Sequence, residues 1–199
     1  MNYHCVGDLI GLSWPCLRLP ITAQQALDIL QPMGFVQIHP NITDIARALI
    51  GKSEYRRGAR PQQAPQVVDC SSMVKWIYGQ MGIWLPRYSI DQRGEGRIVA
   101  KPKEGDLIFS SGWRSYYWNN PNDGVGHVGI VTNSETVIHA ASRRLGVTES
   151  RLMAFCDEKE KFRGIRRYLP QTKDFLVLQM TGRRVETSQE LRWLILQRL

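Results

Sequence analysis

Residues 67–82 read VVDCSSMVKWIYGQMG and carry a clear helical pattern. Apolar side chains recur there at the spacing of a helix that buries one face. These side chains belong to Cys70, Met73, Val74, Ile77, Tyr78 and Met81. Asp69 precedes the run as a helix cap would, and Gly82 follows it as a natural stop. The pattern predicts a helix over residues 70–81 that begins at Cys70.

A cysteine in the first turn of a helix lies in the positive field of the helix dipole and beside unpaired backbone N–H groups. Both features favour the thiolate, so we expect a lowered pKa for the Cys70 thiol. The same N–H groups can stabilise an oxyanion. A single cysteine on a helix face is more often a small buried apolar residue, so a catalytic role for Cys70 requires a base nearby.

Two histidines further along the chain are candidates for that base. His127 opens the strand-like run HVGIV, His139 lies inside TVIHAAS, and the short turn TNSE joins the two runs. The start of the first strand of a hairpin lies opposite the end of the second, so we expect His127 and His139 to be neighbours. A single strand histidine is usually structural, but two of them together with a helix-start cysteine favour nucleophilic catalysis.

Helical patterns precede this region and strand-like patterns follow it. Thr22 is expected to cap a helix through AQQALDILQ, and a second helix is expected from Asn41 or Thr43 to Lys52. Residues 1–20, 53–66 and 83–96 have the composition of irregular segments. The expected strands are DLIFSS, HVGIVTN, TVIHAAS, GVTESRL and FRGIRRYL, and a final helix through SQELRWLILQRL is expected to be capped by Ser188. This order predicts an α+β fold with helices packed on one face of an antiparallel sheet.

The composition is that of a globular protein, with 43% hydrophobic and 22% charged residues among 199. It excludes a disordered, collagen-like or coiled-coil chain, and no apolar run is long enough to span a membrane. The net charge of +8 indicates an anionic partner, which could be nucleic acid, a membrane surface or an acidic polymer. No nucleic-acid-binding motif accompanies the arginine clusters, so solvated surface is the simpler interpretation of them and nucleic acid is not expected as a partner.

The four cysteines, Cys5, Cys16, Cys70 and Cys156, are too few and too scattered for a disulfide scaffold. Cys5 and Cys16 could pair, although reduced thiols are the simpler expectation. No CxxC or HxxxH spacing is present, so we expect no metal site. Residues 1–20 lack the pattern of a signal peptide, and we therefore expect a cytoplasmic protein, or one exported or delivered to the cell wall by a non-Sec route.

Five ordered segments resemble the NlpC-type cysteine peptidases of bacterial cell walls. They are IGKSEYRRG at 50–58, VVDCSSMVKWIYGQMGIWLPR at 67–87, KEGDLIF at 103–109, GVGHVGIV at 124–131 and TVIHAAS at 136–142. The resemblance covers roughly residues 41–169. It implies a papain-like fold in which a helix bearing the nucleophile packs on an antiparallel sheet bearing the base. It also implies three parts of the chain, which are an N-terminal extension (1–40), the catalytic domain (41–170) and a C-terminal strand and helix appendage (171–199).

By position, Cys70 resembles the family's nucleophile and His127 its general base. His139 resembles the third residue, which orients the base, and Tyr55 resembles a tyrosine near the oxyanion. The resemblance implies hydrolysis of an amide bond in peptidoglycan stem peptides, between D-glutamate and a diamino acid, through a thioester on Cys70. No metal or organic cofactor is implied.

Asp69 and Ser71 match positions that contact the free amino end of the substrate in some family members. Capping of the helix is an equally open role for Asp69. Ser72 departs from the family pattern, which has glycine there. The loop at 112–126 holds Trp113, Tyr116, Tyr117 and Trp118, which could shape a substrate groove or cover apolar surface.

Other functions remain open at this stage. A thiol acyltransferase or lipid-acting enzyme of similar fold could use the same cysteine and histidine, and a catalytically silent binding module is a further alternative. The biological setting could be muropeptide recycling, a phage lysin or a delivered antibacterial toxin. A toxin would call for an immunity partner.

Overall fold

The computed structural model describes residues 4–112, 124–156, 161–170 and 174–199. The chain forms two compact units. The larger unit comprises Ile42–Ile77 and Leu85–Leu169, and the smaller unit comprises Met1–Asn41, Tyr78–Trp84 and Pro170–Leu199. Most of the aromatic loop expected to shape a groove, residues 113–123, lies outside the described residues. The division at 40 and 170 stays a prediction.

A six-stranded antiparallel sheet forms the centre of the larger unit. The strands are β5 (Arg97–Val99), β6 (Leu107–Ser110), β7 (His127–Val131), β8 (Thr136–Ser142), β9 (Gly146–Arg151) and β10 (Phe162–Arg167). Their order across the sheet is β5-β10-β6-β7-β8-β9. All five strands expected from sequence are confirmed. The short edge strand β5 was not expected, because its pairing with β10 crosses more than 60 residues of chain and leaves no local signal.

The helices that lie wholly or mostly in the larger unit are α2 (Ile42–Arg47), α3 (Cys70–Gln80), α4 (Ser89–Glu95) and α5 (Met153–Cys156). The expected helix at 70–81 is confirmed as α3. The second expected helix ends earlier than predicted, because the N–H groups of Leu49 and Ile50 donate to carbonyls only three residues back. The expectation of an irregular segment at 83–96 is wrong, since α4 forms there around Gln92, whose side-chain amide donates to the carbonyls of Ser71 and Pro86.

Two short parallel strands precede α3 and bring the expected site segments together. They are β3 (Glu54–Tyr55) and β4 (Val67–Val68). Strand β3 also packs against β8 and β9. The contact is close, since a Cβ placed on Gly146 at the start of β9 would lie 3.1 Å from the carbonyl oxygen of Ser53. This packing carries Tyr55 and the residues that follow it to the same region as the β8–β9 turn.

The smaller unit is built on a three-stranded antiparallel sheet. Its strands and helices are β1 (Leu9–Ser13), α1 (Ala23–Leu30), β2 (Phe35–Ile38), β11 (Phe175–Met180) and α6 (Ser188–Leu196). The strand order is β1-β11-β2. The expectation that residues 1–20 are irregular is wrong. Gly7 and Gly11 suggested turns, whereas Gly11 lies inside β1, where a Cβ would lie 2.1 Å from the carbonyl oxygen of Met81.

The two helix caps expected in the smaller unit have different outcomes. Thr22 caps α1, and its reciprocal hydrogen bonds with Gln25 form a capping box. The cap of α6 is Thr187 rather than Ser188, because the Thr187 side chain accepts the hydrogen bond from the N–H of Glu190. Ser188 is the first residue of the helix.

Candidate active site

The start of α3 is held by reciprocal hydrogen bonds between Asp69 and Ser72. The N–H of Ser72 donates to Asp69 Oδ1 over 2.8 Å, and the N–H of Asp69 donates to Ser72 Oγ over 2.8 Å. This arrangement is a capping box, which satisfies two backbone donors at the helix start. It explains the departure at residue 72, because a glycine there could not complete the box. Capping fixes Cys70 as the first residue of α3.

Arg87 forms hydrogen bonds with both of the side chains expected to contact the free amino end of a substrate, which are those of Asp69 and Ser71. Its guanidinium donates to Asp69 Oδ1 and Oδ2, over 3.2 and 2.6 Å, and to Ser71 Oγ over 2.8 Å. The N–H of Gly58 adds a bond of 3.1 Å to Asp69 Oδ2. Asp69 is only 7% exposed. The roles of Asp69 and Ser71 toward a substrate stay predictions, and their contacts here are with Arg87.

The two histidines expected to be neighbours are in direct contact. His127 Nε2 lies 2.8 Å from His139 Nδ1, which confirms the proximity predicted from the hairpin. Strands β7 and β8 pair at Ile130 with Ile138, and a Cβ on the preceding Gly129 would lie 3.2 Å from the Cβ of His139. The missing side chain at Gly129 therefore gives His139 the room to reach His127.

Ser150 is a site residue that sequence reasoning missed. His139 Nε2 lies 2.9 Å from Ser150 Oγ, so the contacts run in series from His127 through His139 to Ser150. Because Nε2 of His127 faces His139, Nδ1 is the ring nitrogen left to face a substrate or thiol. The sequence did hold a hint of this contact, because residues 148 and 150 of the run GVTESRL share a face of β9 beside β8. Many polar side chains lie on such faces without contacting a histidine, so the pattern alone could not identify Ser150.

Phe155 was also missed, and it packs against both imidazoles. Its ring stacks on His127 at 5.5 Å between centroids and meets His139 edge-on at 5.0 Å. Burial, and to a lesser extent the nearby His139, lowers the pKa of His127 to about 3. Burial lowers the pKa of His139 to about 4. Both imidazoles are therefore neutral near pH 7, and each can donate through one nitrogen and accept through the other.

The thiol of Cys70 is held in its protonated form. Burial and the charge of Asp69 raise its pKa to about 11. Hydrogen bonding to the backbone of Val128 and Ser71 and the charge of Arg87 act in the opposite direction and are outweighed. The lowered thiol pKa expected from the helix start is thus wrong. The contact with Val128 also places the sulfur beside the residue that follows His127.

A cleft of about 500 Å³ opens over Cys70. Tyr55, Asp69 and Ser71 line it with Cys70, so the structure brings together four of the six residues singled out from sequence. His127 and His139 do not line the cleft themselves, but Gly126, which precedes His127, and Ala141, two residues after His139, form part of its wall. In the described part of the chain, no group of three or more metal-ligating side chains lies together.

The described residues also show the state of three cysteines and whether any helix could cross a membrane. Cys5, Cys16 and Cys70 are free thiols. Within the ranges that the structure describes, no helix has both the length and the apolar character that crossing a membrane requires.

Curated proteins similar to this chain carry endopeptidase names. A "Probable endopeptidase" of Corynebacterium glutamicum is 35% identical over 113 residues, which are 56% of this chain and 46% of that protein. "Peptidoglycan DL-endopeptidase CwlO" of Bacillus licheniformis is 33% identical over 104 residues, which are 49% of this chain and 21% of that protein. This chain therefore spans less than half the length of these relatives.

Solved structures share the fold. An NlpC/P60 family protein from Bacillus cereus has a TM-score of 0.54 and 26% identity, covering 67% of this chain and 42% of that one. The peptidoglycan hydrolase RipB of Mycobacterium tuberculosis has a TM-score of 0.50 and 22% identity, covering 75% of this chain and 69% of that one. These matches confirm the α+β, papain-like fold expected from sequence.

A family model agrees with both sets of similarities. The model of the NlpC/P60 family matches residues 51–165, more than half of the 199, and includes every residue of the cleft and of the histidine series named above. The chain belongs to the NlpC/P60 family.

Proposed function

We propose that this chain is a cysteine peptidase that hydrolyses an amide bond in peptidoglycan stem peptides. One observation carries the proposal. A cysteine at a capped helix start lies beside the first residues of β7, whose His127 is followed in series by His139 and Ser150. A nucleophile, a base and a group that orients the base are the parts that acyl transfer requires. The endopeptidase names of the relatives support peptidoglycan as the substrate.

The proposed first step transfers the acyl group of the substrate to Cys70. The sulfur attacks the amide carbon while its proton passes to Nδ1 of His127. Because the pKa of the thiol is raised and that of His127 lowered, the proton moves during the attack rather than before it. The backbone N–H of Cys70, together with Tyr55, is proposed to stabilise the oxyanion. The C–N bond then breaks as the leaving nitrogen takes the proton from His127, which leaves a thioester.

Water completes the reaction in the second step. His127 takes a proton from water, the resulting hydroxide attacks the thioester, and the Cys70 sulfur leaves and recovers the proton. For Nδ1 of His127 to accept a proton, its own N–H must lie at Nε2 and donate to His139 Nδ1. The N–H of His139 then lies at Nε2 and donates to Ser150 Oγ. The series thus holds both imidazoles in the tautomers that base catalysis needs.

The bond proposed for cleavage lies between D-glutamate and a diamino acid. The test uses defined muropeptides and reads the masses of the products. We expect the wild-type protein to release the diamino acid end, and the Cys70→Ala variant, with an unchanged circular dichroism spectrum, to release nothing. Phospholipid vesicles serve as a second substrate, and fatty acid release without muropeptide cleavage would contradict the proposal.

A further inference from the structure

The charged side chains of the cleft do not balance. Among its described lining residues are three arginines, Arg57, Arg87 and Arg143, and one carboxylate, Asp69. Arg87 is paired with Asp69 at 2.6 Å, and both side chains are largely buried. Arg57 and Arg143 are exposed, and within the described residues neither has an acidic side chain within 4 Å. Among the residues that the structure describes, Arg57 and Arg143 therefore give the cleft two positive charges without an acidic partner.

The two arginines come from segments that are packed together. Arg57 follows β3, and Arg143 begins the turn between β8 and β9. Strand β3 packs against both β8 and β9, so the chain after β3 and the β8–β9 turn line one cleft with Cys70. A carboxylate accepts paired hydrogen bonds from arginine, so two arginines that line one cleft provide donors suited to a carboxylate ligand.

The one carboxylate among those lining residues is poorly suited to bind an ammonium group. Asp69 Oδ1 accepts hydrogen bonds from Ser72 N–H, Ser71 Oγ and Arg87, and Oδ2 accepts from Gly58 N–H and Arg87. A substrate amine would have to displace Arg87 from a contact that is mostly buried, which would leave a guanidinium without its partner at a high cost in free energy. The charges of the described lining residues thus favour an anionic ligand over a cationic one.

We propose that Arg57 and Arg143 form a carboxylate-binding subsite of the Cys70 cleft, which selects stem peptides with free carboxyl groups over amidated ones and does not require a free amino end. This inference rests on the proposed function. Amidation of a carboxyl group keeps its shape and removes its charge, so an arginine pair discriminates between the two forms by electrostatics.

The test measures binding first, so that it does not depend on hydrolysis. Two stem peptides are used that differ only in a carboxylate or carboxamide on the D-glutamyl residue, both acetylated at the amino end. Calorimetric titration of the Cys70→Ala protein should give a Kd at least about fivefold lower for the acid than for the amide. The Arg57→Gln/Arg143→Gln double variant in the same background should bind both peptides equally and as weakly as the parent binds the amide.

Arg144→Gln is the matched control, because Arg144 is an exposed neighbour of Arg143 that is not among the lining residues. This control should keep the full preference for the acid. Equal affinity of the parent protein for the two peptides, a preference that survives in the double variant, or no binding of the acetylated acid would overturn the subsite. Cleavage of the peptides by wild-type protein is measured separately, and a lack of cleavage would contradict the proposed function and leave the binding result to decide the subsite.

Discussion

Ser150 contacts His139 and is proposed to act on catalysis through that histidine. Its Oγ lies 2.9 Å from His139 Nε2 and is proposed to hold the tautomer that lets His127 accept a proton. Ser150→Ala should lower kcat about threefold to tenfold, the range expected for one neutral hydrogen bond, and leave KM unchanged. Steady-state kinetics on a defined muropeptide measure both constants.

Two variants distinguish positioning by Ser150 from a purely structural role. Ser150→Thr retains the hydroxyl and should recover most of the lost kcat. Thr148→Val removes a hydroxyl from the residue opposite His139 in the strand register and should leave kcat near the wild-type value. Equal kcat in Ser150→Ala and wild-type protein would exclude the proposed role.

We expect the lowered histidine pKa values to set the acid side of the pH profile of activity. A base must be unprotonated to act, and the pKa values of His127 and His139 are about 3 and 4. We expect kcat/KM to keep its plateau down to about pH 5, well below the ordinary histidine pKa of about 6.5. Phe155→Ala should admit water to the pair and shift the acid limb upward. An acid limb near pH 6.5 in the wild-type protein would contradict this account.

For individual site residues, patterns within short segments of the chain predicted more contacts than patterns between distant segments. Cys70, His127 and His139 were found because a helix start and a tight hairpin place residues through short chain segments. Arg87 and Phe155 were missed, because their contacts join segments that only the tertiary fold brings together. The thiol pKa was predicted in the wrong direction, since burial of the sulfur is not visible in the sequence.

The start of α3 is the element on which the site depends most. The Asp69–Ser72 capping box is buried, and both partners lie in the same first turn as Cys70. Ser72→Ala should lower the free energy of unfolding by about 1 kcal/mol, the usual effect of losing a cap partner. Chemical denaturation measures this change.

Ser134→Ala, in the exposed turn between β7 and β8, is the control for that experiment and should be within about 0.5 kcal/mol of wild type. A Ser72→Ala protein as stable as this control would show that the capping box contributes nothing to stability.

Elements with strong local patterns, such as α1, α3 and the β7–β8 hairpin, were predicted well. Strand β1 was missed because its partner β11 lies about 165 residues further along the chain.

The stability of the whole molecule should depend on pH through the same two histidines. Their pKa values in the folded chain are lower than the value of about 6.5 in an unfolded chain. The stability that this difference contributes is present above pH 6.5. It is lost as the pH falls through 6.5 toward 4, because the unfolded chain binds the protons more tightly. Each histidine contributes a slope of up to about 1.4 kcal/mol per pH unit.

Urea denaturation between pH 7 and pH 4.5 measures this slope. The His127→Gln/His139→Gln variant should lose less stability over that range than wild-type protein does. His39→Gln, which changes an exposed histidine, is the control and should follow wild type. Parallel stability curves for the double variant and wild type would contradict buried, neutral histidines.

The net charge of +8 indicated only an anionic partner, and the structure locates part of that charge in the cleft. Two of the surplus arginines line the cleft above Cys70. A charge total carries no position, so the sequence could not separate these two from Arg144 or from the arginines of other surfaces. The fold class and the order of the site residues were predictable, and the electrostatics of the cleft were not.

The thioester on Cys70 is the centre of this account, and intact-protein mass spectrometry measures it directly. Wild-type protein is mixed with a defined muropeptide, quenched in acid within the first turnovers and weighed beside Cys70→Ala protein treated alike. The account predicts a wild-type species heavier by the acyl half of the substrate, with the adduct on the peptide containing Cys70, and no adduct or product with the variant. Muropeptide cleavage by the folded Cys70→Ala protein at the wild-type rate would contradict it.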